Sequence, residues 1–272
     1  MRVFLSADME GVAGVVDWDQ SRVGAPAYDV GCGLLLGEVN AAIEGALSAG
    51  ADDVTVCDAH GLMANLSPDL IVGRTSYRSG RSEPDYMMAG LDSSYDAVIY
   101  LGYHGAMPSA SVLSHTYNPR VVSDARVGGV RAGESGINAL AAAGHGVPVV
   151  VVTGDQCVGP EAAPFCPGIR AVEVKRSFGR ESAESLHPEV AQERIRAGVA
   201  DALAALSTFA PPPVLGALEV DVLTTDMAEL ATRVRGVERS TERTVTIDTR
   251  DPLDGYRSFT AVIAITRALS TA

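Results

Sequence analysis

The segment FLSADMEGVAG, residues Phe4–Gly14, places two carboxylates, Asp8 and Glu10, directly after a short apolar run. That run predicts a buried β-strand over Val3–Ala7. In an extended chain, residues 8 and 10 point to the same side, so both carboxylates can reach one site while Met9 packs away from it. We therefore expect this strand to end at the rim of a sheet, with both charges held there to bind a cation.

Similar apolar runs alternate with segments of helical period along the chain. The runs are DDVTVCDAH, YDAVIYLGYHG and VPVVVVTGD, and helical patterns begin near Gly33, Glu134 and Pro188. This alternation is typical of strands joined by crossover helices. The predicted fold class is therefore α/β, with a mostly parallel sheet flanked by helices.

A triple proline at residues 211–213 predicts an extended connector, because proline cannot continue a helix. The segment that follows alternates strand and helix patterns over a shorter length. We therefore expect a metal-binding catalytic α/β domain over residues 1–210 and a smaller C-terminal α/β domain over residues 211–272.

Net charge, cysteine spacing and missing motifs argue against several classes of partner and function. The net charge of −13 argues against nucleic acid and against an anionic membrane surface, since both require clusters of Lys and Arg. The four cysteines lack C-x-x-C spacing, and no run approaches the ~20 apolar residues of a transmembrane helix. No signal-peptide pattern, phosphate-binding glycine loop or G-x-S-x-G elbow is present. The expected location is the cytoplasm.

Potential metal ligands follow three of the predicted strands, and the carboxyl ends of parallel strands share one edge of a sheet. Mixed imidazole and carboxylate donors favour zinc or manganese over magnesium. Singly, each residue could instead be a turn former or an ordinary loop histidine. Together they make a two-metal hydrolytic centre reasonable, in which the ions activate water and polarise a carbonyl. The residues are Asp8, Glu10, Asp58, His60 and His104.

Three further residues are ambiguous from the sequence. His115, in SVLSHTY, is either a proton donor or oxyanion partner beside the metals, or a solvent-facing loop histidine. Glu134 suits the first turn of a helix, where a carboxylate complements the helix dipole. Lys175, the only lysine, is followed by Arg176 and is interpreted as half of a solvated basic pair.

Five segments carry a family resemblance, in order over most of residues 1–180: SADMEGVAGVV, VTVCDAHG, LGYHGAM, VLSHTYN and GESGINALAAAGHGVPVVVVTGD. Together they resemble peptidase family M55, the metal-dependent D-aminopeptidases of the dipeptide-transport operon type. The resemblance implies His115 as the catalytic residue and Asp8 as the ligand that bridges two zinc ions. It also implies a ring-like homo-oligomer, a decamer in the family prototype, whose active sites face an inner channel. The implied zinc ligands are Asp8, Glu10, His60, His104 and Glu134.

The resulting expectation is a zinc-dependent aminopeptidase, with manganese as the alternative metal. It releases an N-terminal residue, a small D-amino acid, from a short peptide or aminoacyl amide. A two-metal amidohydrolase or phosphoesterase acting on another small substrate is the alternative, and few Arg or Lys near the proposed ligands count against the phosphoesterase. A domain that the cation only stabilises is a third possibility. The loops at residues 14–31 and 105–114 leave the substrate and the D or L preference open.

Overall fold

The computed structural model describes residues 1–80 and 85–271 of the chain. Within these residues the strands are β1 (Arg2–Ala7), β2 (Asp53–Asp58), β3 (Thr75–Arg78), β4 (Ala97–Leu101), β5 (Val122–Val127), β6 (Val130–Arg131), β7 (Val149–Gly154), β8 (Arg170–Glu173), β9 (Lys175–Gly179), β10 (Ser182–Ser185), β11 (Leu218–Val222), β12 (Val237–Arg239) and β13 (Thr244–Ile247). The α-helices are α1 (Tyr28–Ser48), α2 (Glu134–His145), α3 (Val158–Ala162), α4 (Pro188–Ala204), α5 (Thr225–Ala231) and α6 (Pro252–Thr266).

The main sheet has six parallel strands in the order β3-β2-β1-β4-β7-β8. Every residue of β7 is buried, as expected for a parallel strand that is covered on both faces. Ala7, at the end of β1, pairs with Asp58 on one side and with Leu101 on the other. The three strands therefore end level with one another. The predicted α/β class is confirmed.

Each face of this sheet is covered by a different pair of helices. Val3 and Leu5 of β1 belong to the apolar core that includes α1 and α4, whereas Phe4 belongs to the core that includes α2 and α6. This division follows from the pleat of the strand, which sends successive side chains to opposite faces. The two cores hold β1 rigidly, and the loop after β1 starts from a fixed point.

A second sheet of five strands, in the order β12-β13-β11-β5-β6, is antiparallel throughout. It pairs β11 with β5, so it takes strands from both sides of residue 210. The smaller C-terminal unit expected from the sequence thus shares its sheet with residues 122–131. The division of the chain into domains at residue 210 stays a prediction.

Helix α1 is long and apolar enough to cross a membrane when judged by length and composition alone, contrary to the expectation from the sequence. Half of its most apolar window is buried inside the structure. Its buried side chains include Leu35, Val39 and Ile43, which belong to the core formed with β1 and α4. In this structure α1 is accordingly a core helix.

The loops that follow β1 and β4 are joined through their backbones. The Asp8 amide donates to the Leu101 carbonyl at 2.8 Å, and the Gly11 amide donates to the Gly102 carbonyl at 2.7 Å. A Cβ atom on Gly11 would lie 1.9 Å from the Tyr103 oxygen, so only glycine permits this approach. The contact places the segments that carry Asp8 and His104 side by side.

Candidate metal centre

The five predicted ligands lie in one buried cluster at the carboxyl edge of the main sheet. They come from the ends of three neighbouring strands and from the first residue of α2. Their relative exposures range from 1% to 9%, so water does not screen them. The cluster consists of Asp8 and Glu10 after β1, His60 after β2, His104 after β4, and Glu134 at the start of α2.

Asp8 lies between the two histidines and faces each with a different oxygen. Its Oδ1 is 3.2 Å from Nδ1 of His60, and its Oδ2 is 3.4 Å from Nε2 of His104. Glu10 Oε2 lies 2.9 Å from the same His60 nitrogen, and Glu134 Oε2 lies 3.5 Å from the same His104 nitrogen. The donors thus form two groups with Asp8 common to both, which suits a carboxylate that bridges two ions.

Backbone carbonyl groups orient both imidazoles. His60 Nε2 is 2.7 Å from the Ser21 oxygen, and His104 Nδ1 is 3.0 Å from the Gly105 oxygen. A carbonyl oxygen can only accept, so each of these nitrogens carries the proton. In the neutral rings, the remaining nitrogen therefore points its lone pair at the carboxylates. This is the arrangement in which a metal-binding histidine is held.

Three buried atoms that could bind a metal have no hydrogen-bond partner among the described residues. They are Asp8 Oδ2, Glu10 Oε2 and His104 Nε2. Glu10 Oε2 approaches His60 closely but without hydrogen-bond geometry. A buried polar atom without a partner is costly, and a bound cation would remove that cost. Nitrogen and oxygen donors without sulfur fit zinc or manganese. When all the atoms of a set must lie within 4.8 Å of one another, the described residues give two sets of three that share His104 and do not include His60: Asp8 with Glu10 and His104, and His104 with His115 and Glu134.

The electrostatics of the cluster favour positive charge at its centre. Burial, together with the negative charge of Glu10, raises the pKa of Asp8 to about 7. Burial alone would lower the pKa of His104, but the carboxylates of Glu134 and Asp8 outweigh it and raise that pKa to about 10. In both cases the facing carboxylates attract positive charge, which a divalent cation would supply.

His115 is buried next to the cluster and is not the solvent-facing histidine that the sequence left possible. Its ring stacks on that of His104, with the centroids 4.3 Å apart, and its Nε2 lies 3.8 Å from Oε1 of Glu134. Its Nδ1 is held by the Leu113 carbonyl at 2.8 Å. Burial and then the charge of His104 lower the pKa of His115, so the neutral ring is favoured. Its place in the second donor set allows either a ligand or a proton-transfer role, and the catalytic role stays a prediction.

Asp58 does not join the cluster, so its inclusion with the strand-end ligands was wrong. Its Oδ2 accepts from the amides of Asn65 and Leu66, at 2.6 and 3.1 Å, and from the Tyr77 hydroxyl at 3.0 Å. As the last residue of β2, Asp58 pairs with Ala7 and not with Asp8, so the alternation along the strands turns the two carboxylates to opposite sides. Asp58 instead fixes the loop that carries His60.

Lys175 is the site residue that the sequence analysis missed. It is only 4% exposed, and its ammonium group donates to the carbonyls of Glu10, Val12 and Val15 at 2.5, 3.0 and 2.6 Å. Burial lowers the pKa of this amine to about 8. The interpretation of Lys175 as half of a solvated basic pair was wrong.

A cleft of about 480 Å³ opens from the cluster to the surface. Its walls combine polar and charged groups with apolar and aromatic side chains, which include Trp18, Tyr86 and Tyr117. Its lining also contains three exposed arginines, which have no carboxylate within ion-pair distance in residues 1–80 and 85–271. The sequence analysis expected few cationic side chains near the ligands, and these three line the same cleft as the ligands. The arginines are Arg22, Arg120 and Arg267.

A buried set of imidazoles and carboxylates, at the carboxyl edge of a parallel sheet and open to a cleft of this size, defines a metal-dependent enzyme of the α/β class. The family model described as peptidase M55, D-aminopeptidase, matches residues 1–261. The chain therefore belongs to the M55 family of D-aminopeptidases, as its sequence motifs suggested.

Two further comparisons agree with this assignment. The D-aminopeptidase of Bacillus subtilis (strain 168) is 30% identical over 265 residues, which cover 95% of each chain. A solved structure, described as the Zn-dependent D-aminopeptidase DppA from Bacillus subtilis, a self-compartmentalizing protease, superposes with a TM-score of 0.92. It is 28% identical, and the match covers 98% of both chains.

Replacing Asp8 with Ala should abolish stable zinc binding, because both donor groups lose the carboxylate that they share. We expect zinc affinity to fall on the order of 100-fold or more, given that even an indirect partner of a ligand is worth 10–100-fold. Elemental analysis after dialysis measures this. Glu44→Ala, which removes an exposed carboxylate of α1, is the control and should keep its zinc. Stoichiometric zinc in the Asp8 variant would rule out the bridging role.

Proposed function

We propose that this chain is a zinc-dependent aminopeptidase that removes an N-terminal residue, a small D-amino acid, from short peptides at a two-ion centre. The observation that carries the proposal is the position of Asp8 between His60 and His104, at the inner end of the cleft. Membership of family M55 supports the reaction, and the description of the structural relative as Zn-dependent supports the metal. Manganese is the alternative ion for the same donors.

In this proposal the five buried side chains hold the metal, with His60 and Glu10 in one group and His104 and Glu134 in the other. Zinc bound there would polarise the scissile carbonyl and make a water molecule more acidic. The chain fixes the ligands before substrate arrives, because the carbonyls of Ser21 and Gly105 already orient the imidazoles. Little reorganisation is then needed when the substrate binds.

His115 would transfer a proton at its Nε2 atom. Its Nδ1 proton is committed to the Leu113 carbonyl, so Nε2 is the nitrogen that faces the reaction. Since burial lowers the pKa of this ring, it would be neutral at the start and able to accept a proton. The protonated ring could then stabilise the developing oxyanion or donate to the leaving amine. Stacking on His104 and the edge contact with Trp18 hold the ring in place.

The cleft also suits a short peptide. Its aromatic and apolar walls can enclose small side chains, and its volume of about 480 Å³ admits a molecule of a few residues. Arg22, Arg120 and Arg267 would attract the free carboxylate of the peptide. An aminoacyl amide would lack that interaction but could still reach the metal centre.

Replacing His115 with Ala should leave zinc content unchanged and lower kcat/KM for D-Ala-p-nitroanilide by roughly 10²–10⁴. Release of p-nitroaniline measures the rate, with L-Ala-p-nitroanilide and p-nitrophenyl phosphate as comparison substrates. A wild-type protein that cleaves only the phosphate ester would favour the two-metal phosphoesterase instead. Full peptidase activity in the variant would remove His115 from the mechanism.

Replacing all three cleft arginines with Gln should raise KM for D-Ala-D-Ala several-fold more than KM for D-Ala amide, since each exposed charge contact contributes about 0.2–1 kcal/mol. Steady-state kinetics on the two substrates measure the difference. The kcat for the amide is the internal control and should not change. An equal change in KM for both substrates would contradict the assignment of the arginines to the carboxylate.

We also propose a cytoplasmic, ring-like homo-oligomer whose active sites face an inner channel, with ten subunits. The structural relative is described as self-compartmentalizing. Large apolar side chains that lie exposed on this chain, including Phe178, Val30 and Leu70 at 64%, 58% and 56%, would be covered by contacts between subunits.

Sedimentation equilibrium should therefore give a mass close to that of a decamer of the 28.2 kDa chain at micromolar concentration. Covering the exposed apolar side chains supplies the physical reason for association. A mass equal to that of a single chain would contradict the proposed assembly and would leave the metal centre unaffected.

A further inference from the structure

Strand β9 has one buried face and one exposed face, and its buried face points toward the metal centre. Lys175 and Ser177 are 4% and 5% exposed, whereas Arg176 and Phe178 between and beyond them are exposed. The alternation follows from the period of two along a strand. Strand β9 and its partner β10 form a two-stranded antiparallel hairpin outside the main sheet.

Lys175 fastens the loop that carries Glu10. Its three ammonium donors are matched by three backbone acceptors, the carbonyls of Glu10, Val12 and Val15. The same loop is held from α1, where the Glu38 carboxylate accepts from the Ala13 amide at 2.8 Å. Because the Glu10 carbonyl is tied to Lys175, its side chain is left to point toward His60.

Ser177 fastens the segment that leads to His115. Its hydroxyl donates to the buried carboxylate of Asp155 and accepts from the Val112 amide at 3.1 Å, and this amide also donates to Asp155 at 3.2 Å. The next residue, Leu113, adopts a φ of +51°, which is unfavourable for a branched side chain, and its carbonyl orients His115. Ser177 therefore holds Val112, the residue before Leu113. Leu113 in turn has the strained backbone and provides the carbonyl that orients His115.

We propose that the buried face of β9 positions the two halves of the site, Lys175 through the backbone of the metal-ligand loop and Ser177 through the backbone before His115. Both are positioning residues, since neither reaches the cleft. This inference rests on the proposed function, in that the loop held by Lys175 carries metal ligands and the loop held by Ser177 carries the proton-transfer group.

The physical basis is the free energy lost when the buried Lys175 ammonium no longer bonds to the loop that carries Glu10. A hydrogen bond from a charged donor is stronger than a neutral one, and Lys175 makes three of them in a buried place. Without them, the carbonyls of Glu10 and Val15 lose the ammonium, and the Val12 carbonyl keeps only the Val15 amide. The loop can then rotate the Glu10 carboxylate away from His60. Indirect partners of this kind change metal affinity by 10–100-fold.

The test of the first half is Lys175→Met, which keeps the length of the side chain and removes its donors. Zinc affinity should fall by about 10–100-fold, measured by competition with a chelator on folded protein. Arg176→Gln is the matched control, because it removes a neighbouring positive charge from the exposed face of the same strand. Wild-type affinity in folded Lys175→Met, or an equal loss in Arg176→Gln, would overturn the inference.

The test of the second half is Ser177→Ala, in which zinc affinity should stay at the wild-type value while kcat falls by about tenfold or more with KM little changed. A residue that only supports the fold would lower the melting temperature without this separation of zinc affinity from kcat. Loss of zinc affinity in Ser177→Ala, or an unchanged kcat, would overturn its assignment. If the wild-type protein bound no zinc, the proposed function would fail instead.

A measurement on the unmodified chain covers the case in which Lys175→Met does not fold. Lys175 is the only lysine, so protein labelled with ¹⁵Nζ-lysine gives a single side-chain ammonium resonance. Addition of zinc to the metal-free protein should shift this resonance and slow the exchange of its protons, because the ions fix the loop to which it is bonded. A resonance that zinc does not affect would overturn the role of Lys175.

Discussion

The constraint on which this structure depends is the burial of three carboxylates around the same two imidazoles. Asp8, Glu10 and Glu134 are each at most 3% exposed, and they face imidazoles instead of arginine or lysine side chains. Such a cluster is unfavourable unless positive charge enters it. The raised pKa values of Asp8 and His104 mean that both groups tend to hold a proton, which supplies part of this positive charge. A pair of divalent cations would supply more of it.

The remainder of the fold holds these groups together against their repulsion. The level ends of β1, β2 and β4 bring the ligands to one edge, and the backbone contact at Gly11 joins two of the ligand loops. Beyond the sheet, hairpin β9–β10 adds the ammonium of Lys175, which lies close to the carboxylates without neutralising them directly, since it bonds to carbonyl groups. The metal-ligand loop is thereby fixed by the backbone, and its side chains remain available for a cation.

The sequence predicted the parallel sheet and the convergence of the ligands because both follow from local patterns. Apolar runs mark the strands, and carboxyl ends of parallel strands must meet. Asp58 was assigned wrongly, because it still belongs to β2, and its position relative to Asp8 depends on the register between β1 and β2, which the sequence does not show. Lys175 was missed because its acceptors are backbone carbonyls some 160 residues away, which leave no mark in the local sequence. The pairing of β5 with β11 was not predicted for the same reason, because the two strands are far apart in the sequence and lie on either side of the triple proline.

The most direct measurement of the central claim is anomalous diffraction at the zinc absorption edge from crystals of the protein prepared with zinc. We predict two peaks per subunit, about 3.5–4 Å apart. Asp8 should lie between them, His60 beside one and His104 beside the other. A single peak, or peaks that Asp8 does not contact, would contradict the account of this site.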